Sequence, residues 1–148
     1  MKDTVIFDLD GTLADISHRL HYIEGPDKDW DAFFKACVHD KPINTIIGIL
    51  QEMAAGEYRI VIMTGRSDAV LDETMEWLNA WAPIGQDFEL FMRKDGDHTP
   101  DDALKLKWVN EGYINKDRIF CVFEDRKRVV DMWRGLGLTC LQVAPGDF

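Results

Sequence analysis

A chain of 148 residues has the length of one domain and is long enough to bury a real core. With 46% hydrophobic and 30% charged residues it has the composition of a soluble globular protein, neither fibrous nor disordered. A formal net charge of −10 excludes non-specific nucleic-acid binding through a broad field of Lys and Arg, but not a small basic pocket.

The chain opens on "TVIFDL", a short apolar run that reads as a buried strand. "DLDGT" follows, placing Asp8 and Asp10 side by side before a glycine and a threonine. Burying two carboxylates together is costly unless something positive sits between them. The next stretch, "ADISHRLHYIEGPDKDWDAFFKACVHDK", is too long for a simple strand-to-helix connection. It is expected to form a small lid over about residues 14–40, with the core made of 1–13 and 41–148 in a single domain. Within it Trp30, Phe33 and Phe34 recur at helical spacing, which favours packing over stacking on a nucleobase.

"PINTIIGILQEMAAG" is helical, with Pro42 near its start and Gly56 past its end. "RIVIMTG" is a second strand, stopped by glycine, and "SDAVLDETMEWLNAW" a helix with Ser67 as N-cap. "FELFM" is a third strand, and "PDDALKLKWVNEG" a helix with Pro100 and two aspartates in its opening turn. "RIFCVFED" is a fourth strand, "RKRVVDMWRGLG" a helix that Glu124 and above all Asp125, just before it, could cap, and "LTCLQVA" the last strand. Trp77, Trp81, Trp108 and Trp133 fall on these helices as packing residues. The alternation is a βαβ series, so a central parallel sheet of about five strands with helices on both faces, in an α/β fold. Cys37, Cys121 and Cys140 read as small buried hydrophobes in a reducing, cytoplasmic compartment; no Cys–His grouping has zinc spacing. No apolar run approaches the length of a membrane span, so no membrane partner is expected.

The polar clusters share a position. Asp8 and Asp10 end the first strand, Thr64, Gly65 and Arg66 the second, Glu124 and Asp125 the fourth. In a parallel sheet those carboxyl ends lie on one edge, where ligands bind, and Lys105 can lean over the same edge. Carboxylates from two strand ends suit a hard cation such as Mg²⁺. The cation would neutralise the acidic pair and leave Lys, Arg, Thr and backbone amides to hold an anion, as phosphoryl transfer requires. Asp8 is placed to attack phosphorus, and Asp10 to move protons to the leaving oxygen and from water.

These motifs, "DLDGT", "TGR", the lysine of "KLKW" and "FED", in this order, resemble the four motifs of the haloacid dehalogenase superfamily of phosphatases. "DGTLADISHR", "DDALK" and "EDRKRVVDMWRGLGLTCLQVAPGDF" are similar to the phosphatase domain of phage-type polynucleotide kinase/phosphatase. The resemblance implies a Rossmann-like three-layer α/β/α sandwich and a Mg²⁺-dependent phosphomonoesterase that removes 3′-phosphates from DNA or RNA ends, or from nucleotides, as in nucleic-acid repair. It implies Asp8 as nucleophile, Asp10 as general acid/base, and Thr64 and Lys105 on the phosphoryl oxygens. Arg19, Arg66 and Asp101, with Gly11, Thr12 and Gly65, would bind substrate. The metal would be held by Asp8, the backbone carbonyl of Asp10, Asp125 and Glu124.

The chain departs from that family in having Glu124 before Asp125 where two aspartates are usual. It also lacks a G-x-x-x-x-G-K-[ST] run, so a kinase or ligase would be a separate protein. Two alternatives stay open: a phosphatase for mononucleotides or small metabolites, and a receiver module phosphorylated on aspartate and read by a partner. The receiver needs a carboxylate at the end of its middle strand, where this chain has "MTGR".

Overall fold

A computed structural model describes residues 1–148. Strand β1, Thr4–Phe7, is wholly buried. A two-residue strand β2, Ala14–Asp15, pairs antiparallel with β3, Lys41–Pro42. Between them lie a 3₁₀ turn, Ser17–Tyr22, helix α1, Trp30–Lys35, and a second 3₁₀ turn, Ala36–His39. This segment is therefore closed at its base by the β2–β3 pair. Asp29 caps α1, its carboxylate accepting the Ala32 amide at 3.0 Å.

Helix α2, Asn44–Ala55, then leads to strand β4, Arg59–Ser67. A 3₁₀ turn, Asp68–Val70, precedes helix α3, Leu71–Trp81, followed by strand β5, Glu89–Arg93. Helix α4, Asp101–Asn110, strand β6, Ile119–Glu124, helix α5, Lys127–Gly135, and strand β7, Cys140–Gln142, complete the chain.

The five-stranded sheet runs β5-β4-β1-β6-β7 and every pair is parallel, as the βαβ alternation requires. Side-chain alternation divides the core between two faces. Val5, Phe7, Ile60 and Ile62 meet α2 and α3 through Leu50, Trp77 and Leu78. Ile6, Val61, Met63 and Val122 meet α4 and α5 through Leu104, Val130 and Trp133. Phe7 and Phe123 stack at 4.6 Å between adjacent strands. This is the expected three-layer α/β/α sandwich. No helix is long and apolar enough to cross a membrane. All three cysteines are free and buried.

The structure departs from the sequence expectations at several points. Glycine does not stop the second strand: β4 continues through Gly65 to Ser67, because Ser67 pairs with Arg93 across a register shift. Ser67 caps the 3₁₀ turn that precedes α3, its hydroxyl accepting the Ala69 amide. Of the helix tryptophans, Trp77, Trp108 and Trp133 are buried, while Trp81 is half exposed on the outer side of α3. Asp125 does not cap α5. Glu124 instead turns back, and its Oε1 accepts the amides of Asp125 and Arg126.

Trp133 is fully buried in the α4–α5 core, and its indole N–H has no partner. Trp133→Ala is expected to cost about 3–5 kcal/mol in urea unfolding, chiefly from the cavity it leaves. A loss under about 1 kcal/mol would mean that the α5 face is not the tightly packed layer described.

Candidate active site

The carboxyl ends of β1, β4 and β6 meet at one edge beside the central strand, as the strand order dictates. After Phe7 the chain keeps strand pairing for one more residue, the Asp8 amide donating to the Phe123 carbonyl at 2.9 Å. It then closes a tight loop in which the Leu9 carbonyl accepts the amides of Thr12, Leu13 and Ala14. Gly11 turns that loop at φ +82°, and a Cβ there would lie 2.1 Å from Asp125 Oδ2. The glycine is needed twice, for its backbone angle and for the approach of the carboxylate.

Two ion clusters result. In the first, Asp8, Glu124 and Asp125 gather with ligand atoms within 4.8 Å of one another, all buried. Lys105, from α4, is buried among them and donates to Asp8 Oδ1 at 2.9 Å and Glu124 Oε2 at 2.8 Å. Thr12 donates its hydroxyl to Asp8 Oδ2 at 3.2 Å. Burial, and then Glu124, push the Asp8 carboxyl up to about 8 against the pull of Lys105. Burial, and then Asp8, push Asp125 up to about 7. Burial raises Glu124 as well, although Lys105 opposes it. Burial works against the charge of Lys105, but Asp8 and Glu124 outweigh it and hold the ammonium charged. Three carboxylates against one ammonium leave two negative charges uncompensated when all are ionised.

That deficit tests whether a metal fits, and it matches one divalent cation with oxygen ligands. Both Glu124 oxygens already accept protein donors, whereas no N–H or O–H donates to the Asp125 carboxylate. Asp125 is thus the freer of the two acidic groups.

In the second cluster, Asp10 and Asp40 face Arg19 and Arg66. Arg19 donates from Nε and Nη2 to the two Asp40 oxygens, each at 2.8 Å, and from Nη2 to Asp10 Oδ1 at 2.9 Å. Arg66 pairs with the same Asp10 oxygen and reaches Asp40 Oδ2 at 3.1 Å. His18 adds a contact to Asp40 Oδ1 at 2.7 Å. Burial alone would raise Asp10, but Arg66 and Arg19 outweigh it and hold the carboxyl below the usual range. Its other oxygen, Oδ2, takes no protein donor, and the side chain keeps 19% of its surface exposed.

Every sequence-derived candidate except Thr12, Arg19 and Arg66 borders or closely approaches the cleft above these clusters, which encloses about 630 Å³. Asp8, Asp10, Thr64, Gly65, Asp101, Glu124 and Asp125 line it, and Lys105 and Gly11 lie directly behind Asp8 and Asp125. Thr64 is buried, its Oγ1 accepting the Arg66 amide at 3.0 Å. Thr12, Arg19 and Arg66 have at most 1% of their surface exposed. The two arginines touch Asp10 and Asp40 rather than open cleft, and Thr12 touches the nucleophile candidate.

Asp101 accepts from Arg93 at 2.6 Å on one oxygen and from Arg126 at 2.8 Å on the other. It bridges two cations that sequence reasoning passed over. Arg93 directly follows an apolar strand run and Arg126 follows the acidic pair that ends another, so the strand-end rule that selected the acidic residues extends to them. Asp40 carried no local signal. Gly146 was also missed: a Cβ there would lie 2.2 Å from the Asp125 carbonyl, and its own carbonyl accepts the Lys127 amide. It seats the last turn of chain against the loop that bears Asp125.

Residues 2–148 match the family model described as the polynucleotide kinase PNKP phosphatase domain. The chain is 33% identical over 133 residues to a protein of Autographa californica nuclear polyhedrosis virus whose assigned role is bifunctional polynucleotide kinase/RNA ligase. The match covers 89% of this chain and 18% of the viral protein. A chain of the Pnkp1/Rnl/Hen1 RNA repair complex superposes with TM-score 0.80 at 31% identity, over 98% of this chain and 43% of that one. A haloacid dehalogenase-like hydrolase from Streptococcus pneumoniae superposes with TM-score 0.64 at 15% identity, over 95% of this chain and 83% of that one, a likeness of fold. The chain therefore spans less than half the length of the viral and repair-complex relatives.

Two outcomes follow from the clusters. Unfolded, Asp8 and Asp125 ionise near 3.8; folded without metal, near about 8 and 7. Across that window the folded state holds protons that the unfolded state has released, so stability falls as pH rises from about 4 to 8. Asp10, lowered, acts below the window, and Lys105, raised, above it. Tm of the EDTA-treated protein is expected to drop over this range, with Mg²⁺ restoring it more at pH 8 than at pH 5. A flat profile without metal would contradict the cluster. Asp40→Asn strips one charge from a buried quartet and is expected to cost about 3–5 kcal/mol in chemical unfolding; a change within about 0.5 kcal/mol would refute the pairing.

Proposed function

The chain belongs to the PNKP phosphatase-domain family, whose members are phosphoric monoester hydrolases, and on that premise we propose that it removes the 3′-phosphate from a DNA or RNA end through a phospho-aspartate on Asp8. The observation that carries this reading is the buried cluster of Asp8, Glu124 and Asp125 on Lys105, its charge deficit lying beside the exposed edge of Asp10.

A carboxylate oxygen of Asp8 forms the bond to phosphorus as the bond from phosphorus to the 3′-oxygen of the sugar breaks. Asp10 gives its proton to that leaving oxygen. Held ionised in the free protein, Asp10 gains proton affinity when the dianionic phosphate arrives beside it. Its Oδ1 is fixed by Arg19 and Arg66, so Oδ2 is the oxygen free to transfer the proton. In the second step Asp10 takes a proton from water, the water oxygen bonds to phosphorus, and the bond to Asp8 breaks, releasing phosphate. Lys105 stays on Asp8 and, with Thr64, balances charge on the phosphoryl oxygens. Arg19 and Arg66 act as positioning residues through Asp10. Asp8, Asp125 and the Asp10 carbonyl would hold Mg²⁺, which would supply the positive charge that lets the acidic cluster and the phosphate share one site. Glu124 holds Lys105 and the β6–α5 loop.

Arg93, Arg126 and Arg128 on the cleft wall favour a nucleic-acid end over a small metabolite, since they offer cations beyond those needed for one phosphate. The 3′-hydroxyl product is the end that a strand-joining reaction consumes, consistent with the kinase/ligase and RNA repair roles of the relatives. The receiver alternative needs a carboxylate facing the cleft from β4, where Thr64, Gly65 and Ser67 stand.

Phosphate release with Mg²⁺ is to be compared on 3′-phosphorylated oligonucleotides and on 3′- and 5′-mononucleotides. The oligonucleotide is expected to be preferred, with kcat/KM falling steeply as salt rises. Asp8→Asn is expected to lose activity by about three orders of magnitude or more. Preference for 5′-mononucleotides overturns the substrate, and full activity in Asp8→Asn overturns the chemistry.

A further inference from the structure

Helical spacing put Trp30, Phe33 and Phe34 on one face of α1, and packing was the expected use of all three. The structure buries one. Phe33 is covered, with the Arg19 guanidinium 4.3 Å above its ring. Trp30 keeps 43% of its surface exposed and, with Phe34, lines the cleft that contains Asp8. It is not a loose side chain. The edge of Phe33 meets Trp30 at 5.7 Å and 89°, and Phe34 lies beside it at 5.9 Å and 29°. A large aromatic surface is thus braced by two rings, and its exposed part is approached by the exposed, flexible Lys28 side chain, whose ammonium lies over the ring at 6.0 Å.

The same cleft is lined by the guanidiniums of Arg93, Arg126 and Arg128, the first two bridged by Asp101. It thus combines a flat aromatic surface, guanidiniums held in place by carboxylates, and the acidic cluster around Asp8. A ligand that fills this space is anionic along one side and flat and apolar along the other. A nucleotide has that shape, and a sugar phosphate without a base does not.

We infer that Trp30, seconded by Phe34, is a stacking shelf for a nucleobase at the phosphorylated end of the substrate, so that the lid selects nucleotides over baseless phosphomonoesters. The inference deepens the proposed function and rests on that reading. Stacking on an aromatic face is tolerant of base identity, because every base has a π-face. The shelf therefore gives affinity for a base without a sequence preference. No backbone or side-chain hydrogen bond to the base edge is invoked.

The test compares kcat/KM for a 3′-phosphorylated oligonucleotide with the same strand whose last residue is abasic. The wild type is expected to prefer the base-bearing strand by roughly tenfold to a hundredfold, carried by KM rather than kcat. Trp30→Ala is expected to collapse that ratio toward one, and Trp30→Phe to preserve most of it. A ratio near one in the wild type, or an unchanged ratio in Trp30→Ala, overturns the shelf. A second readout is independent of turnover. Titrating a nucleoside monophosphate, with ribose phosphate as control, is expected to quench indole fluorescence in the wild type. The quench should disappear in Trp30→Phe. If neither oligonucleotide releases phosphate, the 3′-phosphatase reading fails while the quench still decides the shelf; no quench by the nucleotide overturns the shelf whatever the turnover.

Discussion

Burying a carboxylate without a partner is so unfavourable that the group ordinarily takes up a proton instead, and here three are buried around one lysine. Asp8 comes from the end of β1, Glu124 and Asp125 from the end of β6, and the two strands are neighbours at the middle of the sheet. Parallel pairing forces those ends to the same edge, so the topology itself builds the charge deficit. Lys105 offsets one charge by reaching in from α4. The remaining imbalance is tolerable only with protons or a divalent cation. A fold in which a hydrophobic core holds such a cluster in place gives up stability at neutral pH for a site already arranged for an ion and a phosphate.

The second cluster solves a different problem. Asp10 and Asp40 against Arg19 and Arg66 is a neutral set, two charges of each sign. Buried ion pairs of this kind are weak evidence for stability, because well-packed apolar groups often do as well. Their value here is geometric. Arg19 and Asp40 belong to the inserted segment, Asp10 to the β1 loop and Arg66 to β4. One network fixes the proton-transferring carboxylate and ties the lid to the core at the same point. Trp77 adds a bond from α3 to the Asp40 carbonyl at 2.9 Å, so the lid is anchored from both sides of that aspartate. The wall that carries Trp30 is therefore rigidly referenced to Asp10.

How far these features could be read in the sequence follows from the range of the interactions. The strands, the helices and the acidic strand ends were legible because apolar runs, caps and motif spacing are local properties, whereas the order of the strands in the sheet was not read from them. Asp40 was not, for its partners lie 21, 22 and 26 residues away and nothing near it marks a turn, cap or strand end as functional. Periodicity marked Trp30, Phe33 and Phe34 alike, but whether a helix face is covered depends on what packs over it: Phe33 is buried, Phe34 half-buried and Trp30 exposed. Gly65 reads as a strand stop by composition, yet β5 pairs beyond it and carries β4 onward. The adjacent acids of β6 look interchangeable in a one-dimensional reading. Side-chain length separates them: the longer Glu124 reaches back to Lys105 and the loop amides, leaving Asp125 without a donor.

An acidic protein that acts on a polyanion needs its few cations concentrated, and Asp101 shows how that is done here. It holds Arg93 and Arg126, one on each oxygen, at the edge of the cleft. Arg93 is further fixed by the carbonyls of Gly65, Asp97 and Thr99 at 2.7, 3.1 and 2.6 Å. Two guanidiniums facing each other across open solvent would repel; an internal carboxylate between them removes that cost and sets their spacing. The same arrangement leaves the pair with a net positive charge of one, two guanidiniums against one carboxylate, beside a floor that is negative until it binds an ion. Attraction for a phosphate thus depends on how that floor is neutralised, which makes cation and substrate binding mutually reinforcing rather than independent. An overall charge of −10 is compatible with such a site because the field that matters extends only about a Debye length, roughly 8 Å at physiological salt.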